Sequence, residues 1–164
     1  IAIYRTCAFS LLLSFFSMFF YLYAYRPINV GKEWKAAIIA WHDTFKEAAL
    51  FRKLFLLCFV TSLILFKTLL NRDLWMNPLS NVMGGWSIWK TVNGKKKLTT
   101  ECIENVIMMM PFSATLIWTS GERQRMIWKG IKITFCLSVS IEFLQLFLRL
   151  GTFQLSDIFY NTLG

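Results

Sequence analysis

At 164 residues the chain has the length of a single domain, but 56% of it is hydrophobic and its mean hydropathy is +0.50, above the range of ordinary soluble domains. This is a membrane composition. The formal net charge of +9 would point to nucleic acid on a polar scaffold, yet here Lys and Arg gather at the edges of apolar runs, where positive charge orients membrane helices, and no nucleic-acid partner is expected.

The first apolar run extends from about Cys7 to Tyr25, between Arg5 and Arg26, with Tyr21, Tyr23 and Tyr25 suited to a headgroup interface. A signal peptide is the competing reading, but no small-residue cleavage site follows. Next comes "GKEWKAAIIAWHDTFKEAALFRK", over about residues 31–53, where Trp34, Ile38, Trp41 and Phe45 recur at helical spacing while Lys35, Asp43, Lys46 and Glu47 fall elsewhere. That pattern fits an amphipathic helix lying in the membrane surface, and equally a helix covering the edge of a bundle. His42 is the only histidine, so a multi-histidine metal site is not expected and His42 reads as an interfacial polar residue.

A second span covers about Leu54–Leu70, with Lys67 near enough to its end to snorkel. The connection after it carries Trp75, Trp86 and Trp89, suited to an interface belt, and "NGKKK", read as a turn followed by a solvated charge cluster. A third span covers about Ile103–Thr119, where Pro111 predicts a kink whose freed carbonyl needs a partner inside the bundle. The fourth covers about Ile131–Leu150 and is expected to close at Gly151. A fifth helix starts near Ser156 and Asp157 and stops before it can span.

The chain opens on Ile1 and closes on Gly164, which leaves room for further spans at both ends. Four spans place ten Lys and Arg on the side of the first and third connections and eight on the other, which favours the former as cytoplasmic. The four cysteines, Cys7, Cys58, Cys102 and Cys136, show no metal-ligand spacing and read as small buried hydrophobes. The fold class is therefore all-α: a polytopic transmembrane helix bundle with an interfacial amphipathic helix and a truncated final helix. Residues 1–72 form a two-span region and residues 73–164 a second membrane region.

Polar side chains inside these runs form stripes. Ser138, Glu142, Gln145 and Arg149 step by helical spacing on the fourth helix, Glu101, Asn105 and Met108 on the third, and Asp157, Asn161 and Gly164 on the last. Lipid does not solvate them, so the stripes must meet. They predict a polar pocket opening at the outer surface, in which Glu142 and Asp157 supply charge, Asn105, Gln145 and Asn161 orient them, and Lys67 or Arg149 contacts an anionic head group. A hydrogen-bonded network that only glues helices together is the plainer alternative, but glue rarely needs carboxylates.

At these residues the chain resembles the VanZ-like membrane proteins. The resemblance lies in "ENVIMMMPFSATLIW", "SIEFLQLF" and "GTFQLSDIFYNTLG". Asn105 with Pro111 and Phe112, Glu142 with Gln145, and Asp157, Asn161, Thr162 and Gly164 match the family's pattern, over roughly the C-terminal two-fifths of the chain. Asn77 and Pro78 match a looser element, and the first two spans match only as generic membrane helices. The chain departs at Gln154 and Ser156, where the family often has acids, and at Ser113, where it has glycine. A metal site of clustered aspartates is accordingly not carried over, and no cofactor is expected.

The resemblance implies a multi-pass protein of the cell membrane in Gram-positive bacteria, linked to resistance to glycopeptide antibiotics such as teicoplanin. The expected partners are a membrane lipid, a lipid-linked cell-wall precursor or a lipophilic glycopeptide, with a membrane-protein partner or oligomer also open. Two other readings stand beside binding. One is an intramembrane enzyme using Glu142 and Asp157 as acid and base; the other is a small-solute or proton-coupled transporter, for which no inverted repeat is visible.

Overall fold

The structure, a computed structural model, describes residues 3–25, 33–70, 72, 74–92, 94–120 and 123–164, with the backbone alone at 92 and 123–126. Arg26, Lys32 and Asn93, and the side chains of Arg123 and Arg125, lie outside the described residues, as does the start of the 31–53 segment. The chain divides into two compact units, Ile1–Leu63 and Ile64–Gly164, and one long helix contributes to both.

In the first unit, α1 (Ile3–Phe20) continues as a π-helical turn, Tyr21–Tyr25, followed by α2 (Trp34–Glu47) and the start of α3 (Ala49–Leu70). Met18, Leu22 and Phe51 form its core, against which Trp41, Phe45 and Phe55 pack. Trp41 and Phe45 stack at 5.1 Å, and Trp41 meets Phe51 edge-on at 5.6 Å, a geometry that adds to simple burial. The apolar stripe of α2 is thus divided: Trp41 and Phe45 are packed, whereas Trp34 and Ile38 are exposed. Ala48 takes an extended backbone conformation, and Arg52 Nη1 donates to the carbonyls of Phe45 and Lys46, so the break between α2 and α3 is capped from the following helix.

The second unit holds the end of α3, then β1 (Trp89–Val92), β2 (Lys95–Leu98), α4 (Glu101–Thr119), α5 (Arg123–Leu148) and α6 (Leu155–Leu163). The strands are an antiparallel hairpin with Lys90 opposite Lys97 and Thr91 opposite Lys96. Where the sequence reading placed a turn and a solvated cluster, the cluster is therefore one strand of a hairpin, its turn made by Gly94 at φ +74°. α4 runs through Pro111 as one helix, with Thr115 Oγ1 donating to the Pro111 carbonyl at 2.8 Å.

Among the described residues, four helices are long and apolar enough to cross a membrane: Ile3–Tyr25, Ala49–Leu70, Glu101–Thr119 and Ile127–Leu148. Only 22–28% of each is buried inside the protein, so most of their apolar surface needs a lipid solvent. The interior is correspondingly polar: Ser138, Glu142, Gln145, Ser156, Asp157 and Asn161 are all buried. Cysteines follow no single rule. Cys102 is buried, Cys7 and Cys58 are half-buried, and Cys136 is exposed, which corrects the reading of all four as buried: Cys136 lies on the outer face of α5.

The end of α5 also differs from expectation. Arg149, not Gly151, takes the left-handed conformation that stops the helix, at φ 55°. Its N–H donates to the Leu146 carbonyl and that of Leu150 to Gln145, the paired bonds that satisfy the last carbonyls of a helix. The turn that follows is fastened to the connection after α3. Trp75 N–H donates to the Arg149 carbonyl at 2.7 Å, Phe153 N–H to Pro78 at 2.8 Å, and Leu155 N–H to Val82 at 2.8 Å. Gly84 closes this junction at φ +74°, where a Cβ would collide with Ser156 Oγ and come within 2.9 Å of Gln154 Oε1.

Gly84→Ala should therefore destabilise the protein by about 1–3 kcal/mol, combining left-handed strain with the clash. Gly94 shares the φ of +74° but has nothing within 4 Å of its Cβ position, so Gly94→Ala carries only the strain. Thermal unfolding of both variants in micelles checks this: equal losses would mean that the packing of Gly84 on Ser156 contributes nothing.

Candidate functional site

A cavity of about 280 Å³ opens in the second unit among the end of α3, the start of α4 and the start of α6. Lys67 and Arg72 line it from α3 and the residues after it, Glu101, Glu104, Asn105 and Met108 from α4, and Gln154 and Asp157 from the approach to α6 and its first turn. Helical spacing explains the α4 contribution, since residues 101, 104, 105 and 108 share one face. Thr68, buried on α3 next to Lys67 in sequence, also contributes to the lining.

Asp157 is the anchor of the cavity. It is 8% exposed; its Oδ1 accepts from Asn105 Nδ2 at 2.9 Å, and its Oδ2 lies 3.8 Å from Arg72 Nη2. Burial pushes its carboxyl above the ordinary aspartate value; Arg72 pulls it back, Glu101 pushes it further up, and the Asn105 hydrogen bond favours the ionised form. At the rim, Lys90 pairs with Glu101 at 3.3 Å, and Glu104 Oε1 accepts from Thr100 Oγ1 at 2.6 Å.

Of the expected site residues, Lys67, Asn105 and Asp157 are thus brought to one cavity. Glu142, Gln145 and Asn161 are buried without lining it. Glu142 Oε2 accepts the backbone N–H of Gln154 at 2.9 Å, and both Glu142 and Asp157 feel the charge of Arg72. Gln145 Nε2 donates to the Thr68 carbonyl at 3.0 Å, and Asn161 Nδ2 donates to Ser138 Oγ at 3.1 Å. Each of these amides leaves its own oxygen without a hydrogen-bond partner. Arg149 is exposed at the helix end and does not line the cavity.

Thr68, Arg72, Glu104 and Gln154 line the cavity, and sequence reasoning assigned none of them to the site. Arg72 counted only as a connection charge, although its place five residues after Lys67, just past a span, was a usable signal. Gln154 was noted as a missing acid, whereas its main-chain N–H is what engages Glu142. Gly151, at φ +95°, lets the chain pass close to Arg72: a Cβ there would lie 3.0 Å from Nη1. Among the described residues no three of His, Cys, Asp and Glu lie close enough together to hold a metal ion.

A carboxyl raised in the folded state holds its proton more tightly there, so its contribution to stability is complete below the unfolded pKa and is lost as pH rises through the folded one. Asp157→Asn cannot ionise. Its unfolding midpoint relative to wild type should therefore increase as pH rises from about 4. A flat or falling difference would mean that Arg72 and Asn105 outweigh burial.

The VanZ/LLP1 family profile matches residues 9–164, a much wider stretch than the three C-terminal motif blocks, and it includes the first two spans. No curated protein and no solved structure matches the chain. With Asn105, Glu142, Gln145, Asp157 and Asn161 in one unit, four membrane-length helices and a family match over nearly its whole length, the chain is a membrane protein that belongs to the VanZ/LLP1 family.

Proposed function

We propose that this chain is a multi-pass protein of the cell membrane that binds the phosphate-bearing head group of an envelope lipid or lipid-linked cell-wall precursor in the cavity at Lys67 and Arg72. The observation that carries this reading is the pair of cations at the end of one membrane helix, opening into a single cavity with Asn105. An Arg fork matches phosphate oxygens in pairs, and a Lys ammonium adds a compact charge beside it. The end of a span is also where lipid head groups lie, so a bound lipid could keep its chains against the exposed apolar faces.

Acid–base chemistry by Glu142 and Asp157 is less well supported, because Glu142 does not line the cavity and its Oε2 is occupied by the Gln154 N–H. Protection against a teicoplanin-type glycopeptide would follow from binding either the antibiotic's lipid tail or the precursor it targets. A membrane-protein partner or a second copy could cover the remaining faces.

Lys67→Gln should weaken binding of phosphatidylglycerol about tenfold, equivalent to about 1.4 kcal/mol, with an unchanged unfolding midpoint because Lys67 is exposed. Lipid titration of the purified full chain, read by native mass spectrometry, measures this. Unaltered binding in Lys67→Gln and in Lys67→Gln with Arg72→Gln would sink the reading. In cells, the same double variant should lose whatever teicoplanin protection the wild-type chain confers on a sensitive Gram-positive host.

A further inference from the structure

The charges around the cavity pair off unevenly. Arg72 faces Asp157 at 3.8 Å, and Lys90 faces Glu101 at 3.3 Å. Among the described residues, that leaves one cation and one carboxylate lining the cavity without an ion pair: Lys67 on α3 and Glu104 on α4. The position of Glu104 in the first turn of α4 suits the helix dipole, but the dipole does not explain an unpaired lysine lining the same space. Two opposite charges on different helices that line one cavity without forming an ion pair with each other complement a ligand that carries both signs.

We propose that the cavity selects a zwitterionic head group, a phosphodiester bearing a primary ammonium, with the phosphate at Lys67 and the ammonium at the Glu104 carboxylate. This rests on the head-group reading above and narrows it. A purely anionic phosphate would satisfy Lys67 and leave Glu104 facing negative charge, which costs affinity. A quaternary ammonium carries the right charge but has no N–H to donate, whereas a primary ammonium can make charge-assisted hydrogen bonds to Glu104. Glu104 Oε1 already accepts from Thr100 Oγ1 at 2.6 Å, which orients the carboxylate.

The test titrates the purified full chain in micelles with phosphatidylethanolamine, phosphatidylglycerol and phosphatidylcholine of identical acyl chains, read by native mass spectrometry. Phosphatidylethanolamine should bind about tenfold more tightly than either of the others. Glu104→Gln should bring it down to the level of phosphatidylglycerol without weakening phosphatidylglycerol, and Lys67→Gln should weaken both. Displacement by soluble glycerophosphoethanolamine would assign the free head group as sufficient; retention against it would assign the membrane lipid. Equal or tighter binding of phosphatidylglycerol, still dependent on Lys67, would overturn the zwitterion and leave the phosphate reading standing. Loss of both lipids in Glu104→Gln would also overturn it, as a structural effect. If no lipid exceeds phosphatidylcholine and Lys67→Gln changes nothing, both readings fall.

Discussion

The hydrocarbon interior of a bilayer cannot hydrogen-bond to a side chain, and most of this architecture follows from that constraint. On α5, Thr134, Ser138, Ile141, Glu142 and Gln145 are at most 2% exposed, while Phe143, Leu144 and Phe147 are 48%, 43% and 83% exposed. The helix has turned its polar face inward and its apolar face out, the reverse of a water-soluble helix. α6 packs against that polar face: Asn161 reaches Ser138 directly. The close fit of α6 on α4 at the other end requires a glycine, because a Cβ at Gly164 would collide with the Val106 carbonyl.

The loops do as much as the helices to build the cavity. Three backbone hydrogen bonds tie the connection after α3 to the turn after α5, so two segments distant in sequence become one rigid junction. Its location sets the chemistry: it carries Gln154 to Glu142, holds Gly84 against Ser156 and brings Gly151 alongside Arg72. Arg72 is then in position to meet Asp157. A buried carboxylate needs such a partner, since desolvation otherwise outweighs any gain from its location.

Two functions are consequently separated within one unit. Glu142, Gln145 and Asn161 hold helices and the junction together, and Asp157 with Asn105 and Arg72 forms the wall of an open cavity. Lys67 and Glu104 remain at that cavity without ion pairs among the described residues, which is where the proposed ligand of mixed charge would meet them. The first unit is different in character. Its core is aromatic, built on Trp41, Phe45 and Phe51, and its buried hydroxyls include Ser14, which bonds back to the Ser10 carbonyl in the same helix.

Apolar runs of membrane length, bounded by Lys and Arg, already determined the four spans, because the bilayer imposes a length and a composition that few other environments require. Spacing on single helices likewise determined that Glu142 shares a face with Gln145 and Asp157 with Asn161. It could not show which stripe lines open space, since that depends on neighbours far away in sequence. Tertiary structure decided that Asp157 meets Asn105 and Arg72, and that Glu142 accepts from the Gln154 main chain. It also placed Arg149 at the left-handed end of α5, outside the cavity. The hairpin at 89–98 was missed because its lysines read as solvated charge, although pairing there is made by the backbone. Local pattern sets what each helix must bury; only the packing of α4, α5, α6 and the two joined connections sets where charge meets charge.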